Sequence, residues 1–118
     1  MWNNQSKGKY GEALAMDFLL NRGFQIIEKN WRHHHLEVDI IASFKGTLHI
    51  IEVKTRLSLR YGLPEESISK SKMRFLKNAA EAFQFKHPNW KCIQFDVIAI
   101  TIYQGLDHEI LLLEDVYF

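Results

Sequence analysis

The arrangement of apolar and polar positions divides the 118-residue chain into seven predicted elements. Met1 to Gln5 is polar, and Ser6 reads as the cap of a helix running to about Arg22. Tyr10, Ala13, Leu14, Phe18 and Leu20 recur there at near-helical spacing, and Gly23 supplies the stop. Phe24 to Glu28 alternates as a short strand, and Lys29 to Arg32 leads from it into His33-His34-His35. Two runs rich in β-branched residues follow, Leu36 to Ser43 and Leu48 to Val53, joined by Phe44-Lys45-Gly46-Thr47. Such runs around a short Gly-containing loop predict a β-hairpin. A polar loop, Thr55 to Leu63, precedes a helical first turn at Pro64-Glu65-Glu66. Ser69 caps a second helix to about Lys86, with Met73, Leu76, Ala79, Ala80 and Phe83 on its apolar side and Pro88 beyond it. Cys92 to Tyr103 alternates as a long strand, Gln104 to Asp107 turns, and His108 to Leu113 is the last strand. The order helix, three strands, helix, two strands implies an α/β fold, a mixed sheet with helices packed against it.

Register within the hairpin points to chemistry. With the turn centred between Lys45 and Gly46, Asp39 faces Glu52 and Glu37 faces Lys54. Side chains alternate along a strand, so Asp39, Glu52 and Lys54 share one face. Opposed Cβ atoms lie roughly 4.5–5.5 Å apart. Two ionised carboxylates ~5 Å apart repel by about 3 kcal/mol at an effective dielectric of ~20. A small domain has roughly 5–15 kcal/mol of stability in total. The pair therefore calls for a shared proton, a neighbouring cation such as Lys54, or a divalent metal. Hard oxygen ligands suit Mg²⁺ or Mn²⁺. An Asp on one strand and Glu-x-Lys on the next is a metal-nuclease arrangement. The metal polarises a phosphoryl oxygen and acidifies a bound water, and Lys54 orients that water. A free Val53 carbonyl would add a ligand. A one-residue slip would send the two acids to opposite faces.

Composition narrows the picture. The length suits a single domain, residues 1–118, burying roughly 65% of its unfolded surface. Apolar content of 47% and charged content of 25% are ordinary globular values. A net charge of +1 gives no global basic surplus, so binding to nucleic acid needs a local patch. Arg56, Arg60, Lys70, Lys72 and Arg74 offer one. Their other reading is a solvated face. The single Cys92 excludes an internal disulfide and, with no apolar leader or span, makes a cytoplasmic protein the expectation. Adjacent strand residues point to alternate faces, so His33, His34 and His35 do not converge on a metal, and phosphate contact is the minority reading beside a structural one. Glu12 alone reads as a helix carboxylate near a positive dipole end. The aromatic residues, Trp90 and Phe95 among them, read as packing.

Five segments together are familiar. They are Gly8-Lys9-Tyr10-Gly11-Glu12-x-x-Ala15, Asn30-x-Arg32 with Glu37-Val38-Asp39-Ile40-Ile41, Glu52-Val53-Lys54-Thr55-Arg56, Tyr61-Gly62-x-Pro64 with Lys72, and Phe95-Asp96-Val97. On these the chain resembles, over nearly its whole length, the bacterial YraN-like family of the PD-(D/E)xK superfamily of restriction-endonuclease-like nucleases. Leu36 stands where that family usually has Gly, and Gln94 where members often carry Arg. The resemblance implies a restriction-endonuclease-like αβββαβ core with an extra C-terminal strand. It implies Asp39, Glu52 and Lys54 as catalytic positions, with Glu12 as a further metal or water ligand. It makes Glu37, Arg56 and Lys72 contacts to phosphate or to the catalytic residues. The expected activity is Mg²⁺- or Mn²⁺-dependent hydrolysis of DNA, resolvase-like on branched or single-stranded substrates, with RNA left open. By analogy with resolvase-like members, a homodimer is a further expectation. The competing readings are a non-catalytic nucleic-acid-binding or repair-accessory module and a small domain whose acids are structural.

Overall fold

The computed structural model describes residues 4–57, 70–103, 105 and 107–116, with the backbone alone at 4–6 and 70. It contains α1 (Asn4–Asn21), β1 (Gln25–His33), β2 (Leu36–Phe44), β3 (Thr47–Leu57), α2 (Lys70–Lys86), β4 (Ile93–Ile102) and β5 (His108–Leu113). The strands form one sheet in the order β1-β2-β3-β4-β5. All neighbours are antiparallel except β3 and β4, which run parallel with α2 as their crossover. The fold is thus α/β with a mixed open sheet, an αβββαβ core and one extra strand. No described helix is long and apolar enough to cross a membrane.

Two cores lie on opposite faces of the sheet. On one, Met73, Leu76, Ala79, Ala80 and Phe83 of α2 pack on Val38, Ile41, Leu48, Ile50 and Val97. These are the positions whose spacing predicts the apolar side of α2. On the other, Ala15 and Leu19 of α1 pack on Ile40, Ile51, Ile98 and Ile100. Of the expected stripe, Tyr10, Leu14 and Phe18 pack partly buried against this core, and the other two positions are corrected. Leu20 is 52% exposed and Ala13 faces solvent, while Gly11, Ala15 and Leu19 form the buried line. Apolar residues occur nearly all round α1, so spacing alone does not single out its inner face. The helix also begins at Asn4, which puts Ser6 inside it rather than at its cap. Its end follows expectation. Gly23 has φ 90°, and the Gly23 and Phe24 N–H groups donate to the Leu20 and Leu19 carbonyls, a Schellman closure.

The hairpin register is the expected one, from Phe44 opposite Thr47 to Ile40 opposite Ile51. Lys45 and Gly46 both have positive φ, 50° and 82°, as a two-residue type I′ turn requires. Two strands are longer than their apolar runs. β1 continues through Lys29–His33 because β2 pairs with it to the end, around a turn at His34-His35. β3 continues to Leu57 because β4 pairs with it without interruption from Leu48 to Leu57. The rest of the expected polar loop, the Pro64-Glu65-Glu66 turn, the Tyr61-Gly62-x-Pro64 segment and the Ser69 cap lie outside the described residues.

α1 approaches β3 closely at Gly11. A Cβ on Gly11 would collide with Thr55 Oγ1 and lie 2.9 Å from Thr55 Cβ. Nothing lies within 4 Å of the corresponding position on Gly8. Gly in a helix interior costs roughly 0.5–1 kcal/mol relative to Ala. Gly8→Ala should therefore stabilise the protein by up to about that amount. Gly11→Ala should destabilise it by about 1–3 kcal/mol, because α1 must lift off β3. Urea denaturation of the two variants checks the contrast, and equal stability changes would contradict the close approach.

Candidate active site

The β2–β3 ladder stops at Ile40 and Ile51, although both strands continue. Beyond that pair, Leu36–Val38 stay with β1 and Glu52–Leu57 stay with β4. The sheet therefore divides between β2 and β3, and Asp39 and Glu52 are the first residues past the fork. The pleat of β2 is interrupted at the same level. Val38 and Ile41 both pack towards α2, whereas Ile40 and Ala42 pack towards α1. Asn30, across from Asp39 between the pairs Lys29–Ile40 and Trp31–Val38, has φ 51°.

Asp39 fills the fork. Its Oδ2 accepts a 2.8 Å hydrogen bond from the Val53 N–H, a donor left over where the ladder ends. Its carboxyl is also within hydrogen-bonding reach of Glu52. Burial first, and then the Glu52 carboxyl, push the Asp39 carboxyl up to about 7, while the Val53 N–H and Lys72 pull it down. Burial and the neighbouring Glu52 carboxyl thus favour the protonated form of Asp39. The Glu52 side chain is 12% exposed, and its Oε2 lies 3.1 Å from Lys72 Nζ. That oxygen is buried and the ammonium is not aligned for a hydrogen bond, so the pair is ionic rather than directional.

Uninterrupted pairing of β3 with β4 keeps Leu48, Ile50, Glu52, Lys54 and Arg56 on one face, that of α2. The first two are core and the next three border the opened fork. Lys54 therefore shares the face of Glu52, as the spacing predicts. Glu37 does not face Lys54. It pairs with Arg32 of β1 at 3.3 Å, because β2 has left β3 at that level. Glu12 stands on α1, where its Oε1 accepts from Asn30 Nδ2 at 3.1 Å. This brings it to the residue across from Asp39. Among the described residues, however, no three His, Cys, Asp or Glu side chains converge as a ready metal site. Arg74 is exposed on α2. Arg60 and the Lys70 side chain lie outside the described residues. His34 and His35 form the exposed β1–β2 turn, with His34 at φ 57°.

A second polar cluster escaped the sequence reading. His49 Nδ1 lies 2.6 Å from Asp96 Oδ2, and both side chains are buried. Asp96 Oδ1 accepts from Gln94 Nε2 and from the Asp115 N–H, each at 2.9 Å. Gln94 serves here as a neutral donor to Asp96. The cluster joins β3, β4 and the segment after β5. A polar side chain inside each of two apolar strands was the available signal. Their pairing follows from β3 and β4 being neighbours, which local sequence does not state.

Residues 11–100 match the family described as Uncharacterised protein family UPF0102. The chain belongs to this family. It is 41% identical to a UPF0102 protein of Natranaerobius thermophilus over 118 residues, 98% of this chain and 99% of that one. It is 43% identical to one from Dictyoglomus thermophilum over 101 residues, 85% and 86% of the two chains. A UPF0102 protein of Rhodococcus opacus is 41% identical over 106 residues, 89% and 90%. The matched span includes Gly11, Glu12, Asn30, Asp39, Glu52, Lys54 and Lys72.

The raised Asp39 value has a measurable consequence. Between its ordinary value of 3.8 and about 7, the folded protein holds a proton that the unfolded chain has released. Stability from this group is therefore full below about 4 and declines as pH rises through about 7. In the presence of a chelator, Asp39→Asn should flatten that part of the profile. At pH 8 it should be more stable than the wild type by on the order of 1–3 kcal/mol. Urea denaturation across pH 4–8 reads this directly, and parallel profiles for the two proteins would contradict it.

Proposed function

We propose that this protein is a divalent-metal-dependent endonuclease of the PD-(D/E)xK, restriction-endonuclease-like kind, hydrolysing phosphodiester bonds in DNA. The observation that carries the reading is the contact of the Asp39 and Glu52 carboxyls at the fork of the sheet, with Lys54 on the same face. Two acids that share a proton in the absence of another cation form an acceptor for one. Their donor set is hard oxygen, which fits Mg²⁺ or Mn²⁺, and Mg²⁺ keeps several waters, so two carboxylates suffice as protein ligands. When bound, the metal would polarise a phosphoryl oxygen and acidify a coordinated water. The chain's own groups do the rest. Asp39 gives up its proton and stays anchored through the Val53 N–H. Lys54 orients the attacking water and offsets charge on the phosphate. Lys72, no longer needed to neutralise Glu52, turns to the substrate backbone. Glu12, held by Asn30, approaches from α1 as an outer ligand to water. We place the protein in the cytoplasm, where a chain with one exposed thiol, Cys92, stays reduced.

The Lys72–Glu52 pair also favours a second reading. A lysine that neutralises the acid permanently suits a non-catalytic nucleic-acid-binding module with the same fold. Metal titration by calorimetry, with parallel incubation on branched, flapped and single-stranded DNA, separates the two. The wild type should bind Mg²⁺ or Mn²⁺ and cut at least one substrate, and Asp39→Asn should lose both. Absence of metal binding by the wild type, with DNA present, would reject the nuclease. Lys72→Ala should weaken DNA binding and flatten its salt dependence by about one phosphate contact. Unchanged affinity across a salt series would reject that role.

A further inference from the structure

α2 carries a large aromatic residue on the side away from its core. Its buried stripe is Met73, Leu76, Ala79, Ala80 and Phe83, and Phe75 stands off it, 46% exposed. A single exposed apolar residue needs no explanation. Phe75, however, is built into a surface. The His35 ring, from the β1–β2 turn, meets it edge-on at 5.8 Å and 82°. Phe75, Ser71, Arg74 and Asn78 line a recess of about 240 Å³ on the outer face of the helix. One turn back along the same helix is Lys72, whose ammonium rests on Glu52.

The chemistry of this recess is an aromatic face with a guanidinium, a hydroxyl and a carboxamide at its rim. An apolar protein segment would leave these polar groups unmatched. A nucleotide matches them all: its base stacks on the ring, and its phosphate and base edges take the rim. Bases in a duplex are stacked on one another and present no free face. We propose that Phe75, supported by His35 and flanked by Arg74, is a stacking site for an unpaired base of a single-stranded nucleic acid, one helical turn from the cutting centre. This rests on the reading of Asp39 and Glu52 as a phosphodiester-cleaving pair and narrows its substrate class to strands with unpaired bases beside the scissile bond.

The test uses the full chain carrying Asp39→Asn, in chelator, so that no strand is cut. Fluorescence anisotropy compares a labelled single-stranded oligodeoxythymidylate with a duplex of equal length. The parent should bind the single strand more tightly. Adding Phe75→Ala should weaken single-strand binding by about 5- to 100-fold. Its duplex affinity and the salt slope of its binding should stay as they were, because no phosphate contact is lost. Phe75→Trp should restore or exceed the parent affinity, and Phe85→Ala, at a residue 87% exposed and outside the recess, should change nothing. Both Phe75 variants are at the surface, and unchanged thermal melts confirm that they fold. Single-strand affinity indifferent to residue 75 would overturn the stacking site. If wild-type cleavage and the Lys72 effect persist in that case, the nuclease reading stands without it. Loss of single-strand and duplex affinity together in Phe75→Ala would also overturn the site, since stacking discriminates between them.

Discussion

Two carboxyl groups meeting where a sheet divides set the terms for the rest of this structure. Asp39 and Glu52 would face each other across a continuous ladder, and two buried negative charges at that distance would oppose the fold. Instead the ladder ends one pair earlier. The Asp39 side chain takes the Val53 N–H that a backbone carbonyl would otherwise accept, and a proton and Lys72 balance the charge. The arrangement gives up backbone pairing to hold two acids close together inside a fork.

The fork stays open because each of its arms is braced separately. One arm is β1 with the start of β2, paired to the hairpin turn and tied across its surface by Arg32 and Glu37. The other is β3 with β4, paired over ten consecutive positions and stapled beneath by the buried His49–Asp96 bond. α1 spans the two arms. Its Gly11 presses on Thr55 of β3, and its Glu12 reaches Asn30 of β1. The adjacent residues Gly11 and Glu12 thus carry a packing contact and a site contact to opposite sides of the fork. On the other face, α2 seals the hydrophobic half of the sheet and carries Lys72 to its polar half.

Along β3 the alternation of side chains does double duty. On the α2 face, Leu48 and Ile50 bury themselves in the core, and Glu52, Lys54 and Arg56 continue the same row into the opening. A site of this design needs no loop to carry its residues, and side chains on a paired strand are held more firmly than side chains on a loop. Of the basic positions that the pattern suggested, Arg56 is on β3 and Lys72 and Arg74 are on α2. Arg74 sits on a helix, beside Phe75 rather than beside the acids.

Much of this was readable along the chain. Element order, a turn centred at Lys45-Gly46, the hairpin register and the buried stripe of α2 follow from short-range patterns: turn residues, period-two runs and helical spacing. That register also brings Asp39 and Glu52 to the end of the hairpin, one position past the last pair, Ile40 and Ile51. What lay beyond the sequence depends on contacts between distant segments. The inner line of α1 includes Gly11, where the helix meets Thr55 closely, and an apolar pattern does not mark a glycine. β1 and β3 outran their apolar runs because a neighbouring strand offered hydrogen bonds to polar residues. The Glu37–Lys54 pair failed because β2 parts from β3 past Ile40 while it stays paired with β1, and a ladder's end is not written in either strand. The sequence by itself determined which residues could meet across one hairpin. Only the tertiary structure decided where the hairpin opens, which cation answers Glu52, and that His49 and Asp96 join, because each rests on which elements pack together, and that is settled by the whole chain at once.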